Sequence, residues 1–190
     1  MNFLFYRKSF LSLLLISFFL YPQDQSKEKP QSFKVEVVLC DGRTLNGIIE
    51  IQAPEKFVIY HDVNGLEFAK ELKIQDIDSI NFIGWSPELT ENKSNKGKVF
   101  KFYVTRFFIQ LKDSLELKVQ KKLPDFLEKF SFKNKMGNIV LYTYWMDLLK
   151  PDNTWYTGLN GPENGERIFC YKDVVKKITF KDKDKEKSKK

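Results

Sequence analysis

The sequence predicts a mainly β protein organised as two small β modules in tandem. Three observations carry that prediction. Apolar and polar residues alternate in short runs, as in Phe33, Val35 and Val37 against Lys34 and Glu36, the period of a strand with one buried face. Tight-turn dipeptides, Asp41-Gly42 and Asn64-Gly65, separate such runs. Aromatic residues make up 15% of the chain, with 18 Phe, a type that favours pleated, half-buried surfaces.

The first module spans residues 33–83. Its first strand runs from Phe33 into Asp41-Gly42, and Leu45–Ile51 returns. Gly47 lies in that return, where a small barrel often needs a bend or bulge. Pro54 ends it, Phe57–Tyr60 forms a third strand, and Asn64-Gly65 turns into a fourth over Leu66–Ile74. Asp76–Ser79 reads as one short helical turn and Ile80–Phe82 as a closing strand. Five short hairpin-linked strands close most economically as a bent barrel, which removes exposed edges.

Residues 84–98 (GWSPELTENKSNKGK) hold two Gly, a Pro and few apolar residues, and are expected to be a linker. The second module, residues 99–180, repeats the plan loosely. Phe107, Ile109 and Leu111 alternate, Asp113-Ser114 stands where Asp41-Gly42 stood, and Gly137-Asn138 echoes Asn64-Gly65. Ile77–Phe82 and Val175–Phe180 share an aliphatic residue, two polar residues and an Ile-x-Phe ending. Unrelated period-2 strands also imitate one another. Leu123–Lys129 could form one helical turn. Residues 148–166, with two Pro and three Gly, form a long inserted loop that carries Trp155 and Tyr156 and is expected to be ordered.

Met1–Gln23 has Arg7 and Lys8 ahead of the uncharged apolar run Ser9–Tyr21, the pattern of a secretory signal. That run is shorter than the roughly 20 residues of a bilayer span. The position after it lacks a small-residue cleavage pair, so an uncleaved anchor and a buried N-terminal segment remain open. Residues 24–32 read as a polar spacer, and 181–190 as a solvated, disordered charged tail. The expected location is therefore the periplasm or cell envelope. Net charge is +7; the leader supplies +2 and the tail +3, so the body carries only +2. That is too little for the concentrated basic footprint of a nucleic-acid domain.

Val37–Ile49 (VVLCDGRTLNGII), an apolar strand, Asp-Gly and an aliphatic-x-Gly return, resembles SH3-like and Sm-like small barrels. Leu72–Phe82 (LKIQDIDSINF) resembles the strand, Asp-Ile, turn, strand ending of bacterial Sm-like modules. The resemblance implies the barrel fold over residues 33–82. It does not bring RNA binding, because Pro54-Glu55-Lys56 replaces the family's Asp-x-x-Met-Asn loop and Ile80-Asn81-Phe82 its Ile-Arg-Gly signature.

Catalytic motifs are sparse. His61 is the only histidine, and no G-x-S-x-G elbow accompanies it. Cys40 with His61 could form a thiol dyad, but no third orienting group stands out. Two Cys and one His make no metal cluster, Asp76 and Asp78 lack the rest of a calcium loop, and no phosphate-binding Gly motif is present. No cofactor is expected. Cys40 and Cys170, the only cysteines, permit one disulfide in an exported chain, or stand as two buried thiols. Trp85, Trp155 and Tyr156 are candidates for a partner-contact patch, with core packing as the alternative. The expected function is a non-enzymatic binding or structural module for an envelope protein, glycan or membrane surface. An envelope hydrolase is the first alternative. A nucleic-acid-binding Sm-like protein is the second, if the chain is not exported.

Overall fold

Period-2 patterning becomes strands along most of the chain. A computed structural model describes residues 30–93 and 97–181. The expected signal segment 1–23, most of the spacer 24–32 and nearly all of the tail 181–190 lie outside the described residues. Eleven strands form among them: β1 (Gln31–Leu39), β2 (Thr44–Ile51), β3 (Phe57–Val63), β4 (Leu66–Leu72), β5 (Ile77–Lys93) and β6 (Gly97–Leu111), then β7 (Glu116–Val119), β8 (Lys129–Asn134), β9 (Gly137–Tyr142), β10 (Trp145–Leu149) and β11 (Val175–Phe180). Short 3-10 turns at Ile74–Asp76 and Asp125–Leu127 introduce β5 and β8. The first of these starts two residues ahead of the expected turn at Asp76–Ser79, and the closing strand begins correspondingly early.

All pairings are antiparallel, and the strands form one open sheet in the order β4-β3-β7-β6-β5-β11-β1-β2-β8-β9, with β10 also on β6. The expected pair of contiguous barrels is therefore corrected. The β3–β4 hairpin of the first half pairs with β7 of the second, and the β8–β9 hairpin of the second half pairs with β2 of the first. Strands from 33–83 and 99–180 interleave.

The expected linker 84–98 is corrected as well. Apart from 94–96, which are not described, it is strand, the end of β5 and the start of β6. Register shifts around Gly84 and between Leu89 and Glu91 let β5 bend along its length. Trp85 on this stretch is fully buried, which a solvated linker would not allow.

The two halves share their registers. Val37 faces Leu45, and in the second half Ile109 faces Leu117. Leu39 N–H donates to Arg43 O at 2.9 Å, and Leu111 N–H to Leu115 O at 2.8 Å. Both turns need a residue with positive φ, Gly42 (89°) and Ser114 (71°), and both are closed by an Asp side chain that accepts from the backbone two residues on. Val37 pairs with Ile178 as Ile109 pairs with Ile80. At the middle, Ile80 of β5 faces Ile178 of β11.

The core lies under this sheet and is continuous across it. Val37, Ile49, Phe82, Phe107, Ile109, Leu117, Phe132 and Ile178 are among its fully buried members. Gly47 serves close approach: a Cβ there would stand 2.4 Å from Lys133 O and 2.6 Å from the Phe132 ring. It lets β8 lie against β2.

Candidate functional site

Cys40 and Cys170 form a disulfide, with Cα atoms 5.7 Å apart. Backbone bonds run beside it, from Cys40 N–H to Val174 O (2.9 Å) and from Asp41 N–H to Lys172 O (3.2 Å). Arg43 adds an ion pair to Asp173 and a second to Asp41 at 2.6 Å. The backbone N–H of Arg43 lowers the Asp41 pKa most; desolvation opposes it, and the Arg43 guanidinium lowers it further. Disulfide, ladder and ion pair together fix the residues ahead of β11 to the end of β1. With its sulfur in the bridge, Cys40 has no thiolate to offer His61, and the imidazole ring instead packs 6.1 Å from the Phe68 ring across the β3–β4 hairpin.

The expected aromatic patch is corrected in two of its three members. Trp85 is fully buried and its Nε1–H donates to Thr143 O at 2.8 Å. Trp155 is 7% exposed and its Nε1–H donates to Gly161 O at 2.9 Å. Its ring meets Phe100 and Phe102 edge-on at 5.4 and 5.3 Å, while Phe102 stacks on Trp145 at 4.7 Å. Their size and apolar surface put them in a core that the sheet end supplies. Tyr156, the next residue, is 74% exposed.

Sequence reasoning missed the residues that order this loop. Arg167 is 6% exposed, with its guanidinium 5.2 Å from the Phe102 ring centre and 5.3 Å from that of Trp155. It donates to Gly165 O at 2.8 Å and to Pro162 O, while its backbone exchanges hydrogen bonds with Trp85. Burial lowers its pKa and the Asp147 charge raises it, but a guanidinium stays charged. Buried Asp147 accepts from the backbone of Leu148 (2.8 Å) and Thr157 (3.1 Å) and from the Thr157 hydroxyl. Nothing in a lone Arg or Asp within a polar stretch announces that role.

The sheet ends in two edge strands, β4 and β9. On the β3–β4 hairpin Val58, Tyr60, Leu66 and Phe68 are exposed, and on the β8–β9 hairpin Met136, Ile139, Val140 and Tyr142. The two edges differ in charge. β4 carries Glu67, Lys70 and Glu71, with Lys121–Glu67 and Lys56–Glu71 pairs at 2.8 Å tying it to neighbouring segments. β9 (GNIVLY) carries no charged residue. A groove of about 420 Å³ follows β9, lined by Leu39, Leu45 and the β9 residues Ile139–Tyr142, with Arg43, Asn134, Asn138 and Asp173 as its polar members. A hollow of about 350 Å³ beside β4 is lined by Lys70, Glu71, Leu72, Asp76, Leu111 and Lys112, a far more polar set.

Among the described residues, no group of three or more His, Cys, Asp or Glu is arranged to hold a metal, and no helix is long and apolar enough to cross a membrane. No family model, no curated protein and no solved structure matches this chain.

Proposed function

We propose that the protein is an exported, non-enzymatic binding module of the cell envelope, held rigid by its disulfide and recruiting a partner at the exposed edges of its sheet. The observation that carries this reading is the pair of edge hairpins with outward apolar side chains, above all the uncharged β9. Exposed apolar strand edges are unusual in a protein with no use for them, since they invite pairing with other chains. The Cys40–Cys170 bridge supports export, because disulfides persist in oxidising compartments. It also removes the one thiol that a Cys40–His61 enzyme would need.

The shared registers support a finer reading of the fold. Each half contributes a two-strand unit and a closing strand of an SH3-like or Sm-like module, and the two halves exchange their β3–β4 and β8–β9 hairpins about an approximate two-fold at Ile80 and Ile178. A rigid double platform of this kind suits recruitment by its rims. The test is capture by the full-length exported chain in envelope extracts, with photo-crosslinkers at Tyr60, Val140 and Tyr156. A crosslinked partner at either hairpin supports the module. Turnover of an envelope substrate by the purified chain, abolished by no mutation of the hairpins, contradicts it.

A further inference from the structure

We infer that the β9 edge is a strand-addition site for an extended peptide segment whose alternate residues are aliphatic and acidic. This rests on the binding-module reading and names its partner class. β9 pairs on one side only, with β8, in a register set by the two-residue turn between Asn134 and Gly137. Residues flanking such a turn form a hydrogen-bonded pair, and the ladder alternates from there. Asn138, Val140 and Tyr142 therefore direct their N–H and C=O groups to the open side, where an added strand would bond to them.

The two faces of the edge say what that strand carries. Ile139 pairs with Phe132 and Leu141 with Phe130, so these four lie on the core face. Ile139 is nonetheless 48% exposed, because it borders the groove floored by Leu39 and Leu45. A strand added to β9 turns every second side chain into this groove, whose 420 Å³ is within the roughly 300–1,000 Å³ of ordinary ligand pockets. Aliphatic residues match its walls. The remaining side chains face outward, alongside Val140 and Tyr142.

Outward-facing Lys129 and Lys133 stand on β8, and Lys135 is in the turn. All three are exposed and have no ion-pair partner among the described residues. Two acids oppose them: Glu50 on β2, one strand farther from the edge, and Asp125, 3.9 Å from Lys122, and both line with Lys129, Val140 and Tyr142 an outward hollow of about 650 Å³. Lys133 and Lys135, toward the turn and outside that hollow, are the unopposed charges, about 10 Å from an added strand at the usual interstrand spacing and within the Debye length. They favour acidic outward residues. A second copy of this chain pairing β9 to β9 would bring two lysine rows together. The β4 edge differs on both counts: its hollow is polar, and Glu67 and Glu71 stand beside its own lysine.

The test uses the full chain with its disulfide intact and a fluorescein-labelled peptide, Thr-Glu-Val-Glu-Leu-Glu-Thr, read by fluorescence anisotropy. Val140→Pro removes one outward N–H and leaves the β8 ladder in place, so it is expected to weaken binding about tenfold or more. Lys129→Glu with Lys133→Glu is expected to weaken it about three- to tenfold and to favour the same peptide with Lys in place of Glu. Ile139→Asp, which leaves the backbone alone, should abolish binding and serves if Val140→Pro does not fold. No binding up to about 1 mM, the weak end of specific recognition, overturns the site. So does binding that both Val140→Pro and Ile139→Asp leave unchanged. Dimerisation of the unliganded chain, lost in Val140→Pro, would give the edge to a second copy and also overturn it. In any of these cases a crosslinked partner at the β3–β4 hairpin would leave the module reading standing.

Discussion

Truncating Trp155 to alanine separates a contact residue from a core residue. Trp155 is buried, meets Phe100 and Phe102 edge-on, carries the Arg167 guanidinium over its face and donates one hydrogen bond to Gly161. Removing the indole leaves a cavity that β6 and β10, already paired with each other, cannot collapse into. Large aromatic-to-alanine changes at such sites cost about 3–5 kcal/mol. For a chain of this size each kcal/mol moves Tm by about 2–4 °C, so Trp155→Ala should lower it by roughly 6–20 °C. Tyr156→Ala, one residue along and 74% exposed, should stay within about 0.5 kcal/mol of the parent. Differential scanning calorimetry on both variants reads this directly. A Trp155→Ala protein whose Tm falls by no more than that of Tyr156→Ala would refute the packing argument and return Trp155 to the surface.

Arg167→Met removes the charge but keeps the length, leaving Gly165 O without its donor and Pro162 O with only the long bond from Gly165 N–H (3.5 Å), and should destabilise by about 1–3 kcal/mol in chemical denaturation. Gly47→Ala forces β8 away from β2 and should cost about 1–3 kcal/mol, read in the same way, with loss of amide protection on β8. The folded Asp41 pKa is lowered, so its contribution is present above the unfolded value of about 3.9 and fades as pH falls through the folded one. Asp41→Asn should therefore flatten the acid limb of the stability profile below about pH 4, measured by thermal melts across pH. Replacing Cys40 and Cys170 together by serine should cost about 2–5 kcal/mol, checked by urea titration.

Local structure was legible in the sequence where alternation and turn residues coincide. The Phe33 strand, the Asp41-Gly42 turn, the Leu45–Ile51 return and the Asn64-Gly65 hairpin all form near their expected bounds. Partner choice was not legible. A period of two fixes which face of β2 is buried. It does not say whether Ile49 lies beside Ile59 in its own half or beside Phe132 in the other. The fold takes Phe132, and the Gly47 notch that admits its ring is the one local sign of that choice.

The stretch 84–98 misled for a related reason. Gly84, Pro87 and its charges read as a linker, yet β5 continues through it because β6 pairs along its length and because Trp85 is drawn into the core beside Trp145. Long-range pairing overrode local composition. Trp85 and Trp155 leave the expected patch on the same ground, since they pack against residues far along the chain that no window around them contains, while Tyr156 stays exposed. The disulfide needed only the pairing of the two cysteines present. The β9 groove needed the topology, because an edge strand is defined by the neighbour it lacks.

Export of a disulfide-bonded chain is tested by the intact mass of a tagged copy recovered by cell fractionation, taken without reductant and again after reduction and alkylation. The expected product is a chain in the envelope or periplasmic fraction, shortened by about its first 23 residues. Its cysteines should be alkylated only after reduction. A full-length chain in the cytoplasm with both thiols free would contradict export, remove the disulfide from the protein as it works in the cell, and return the nucleic-acid reading of the small-barrel pattern to first place.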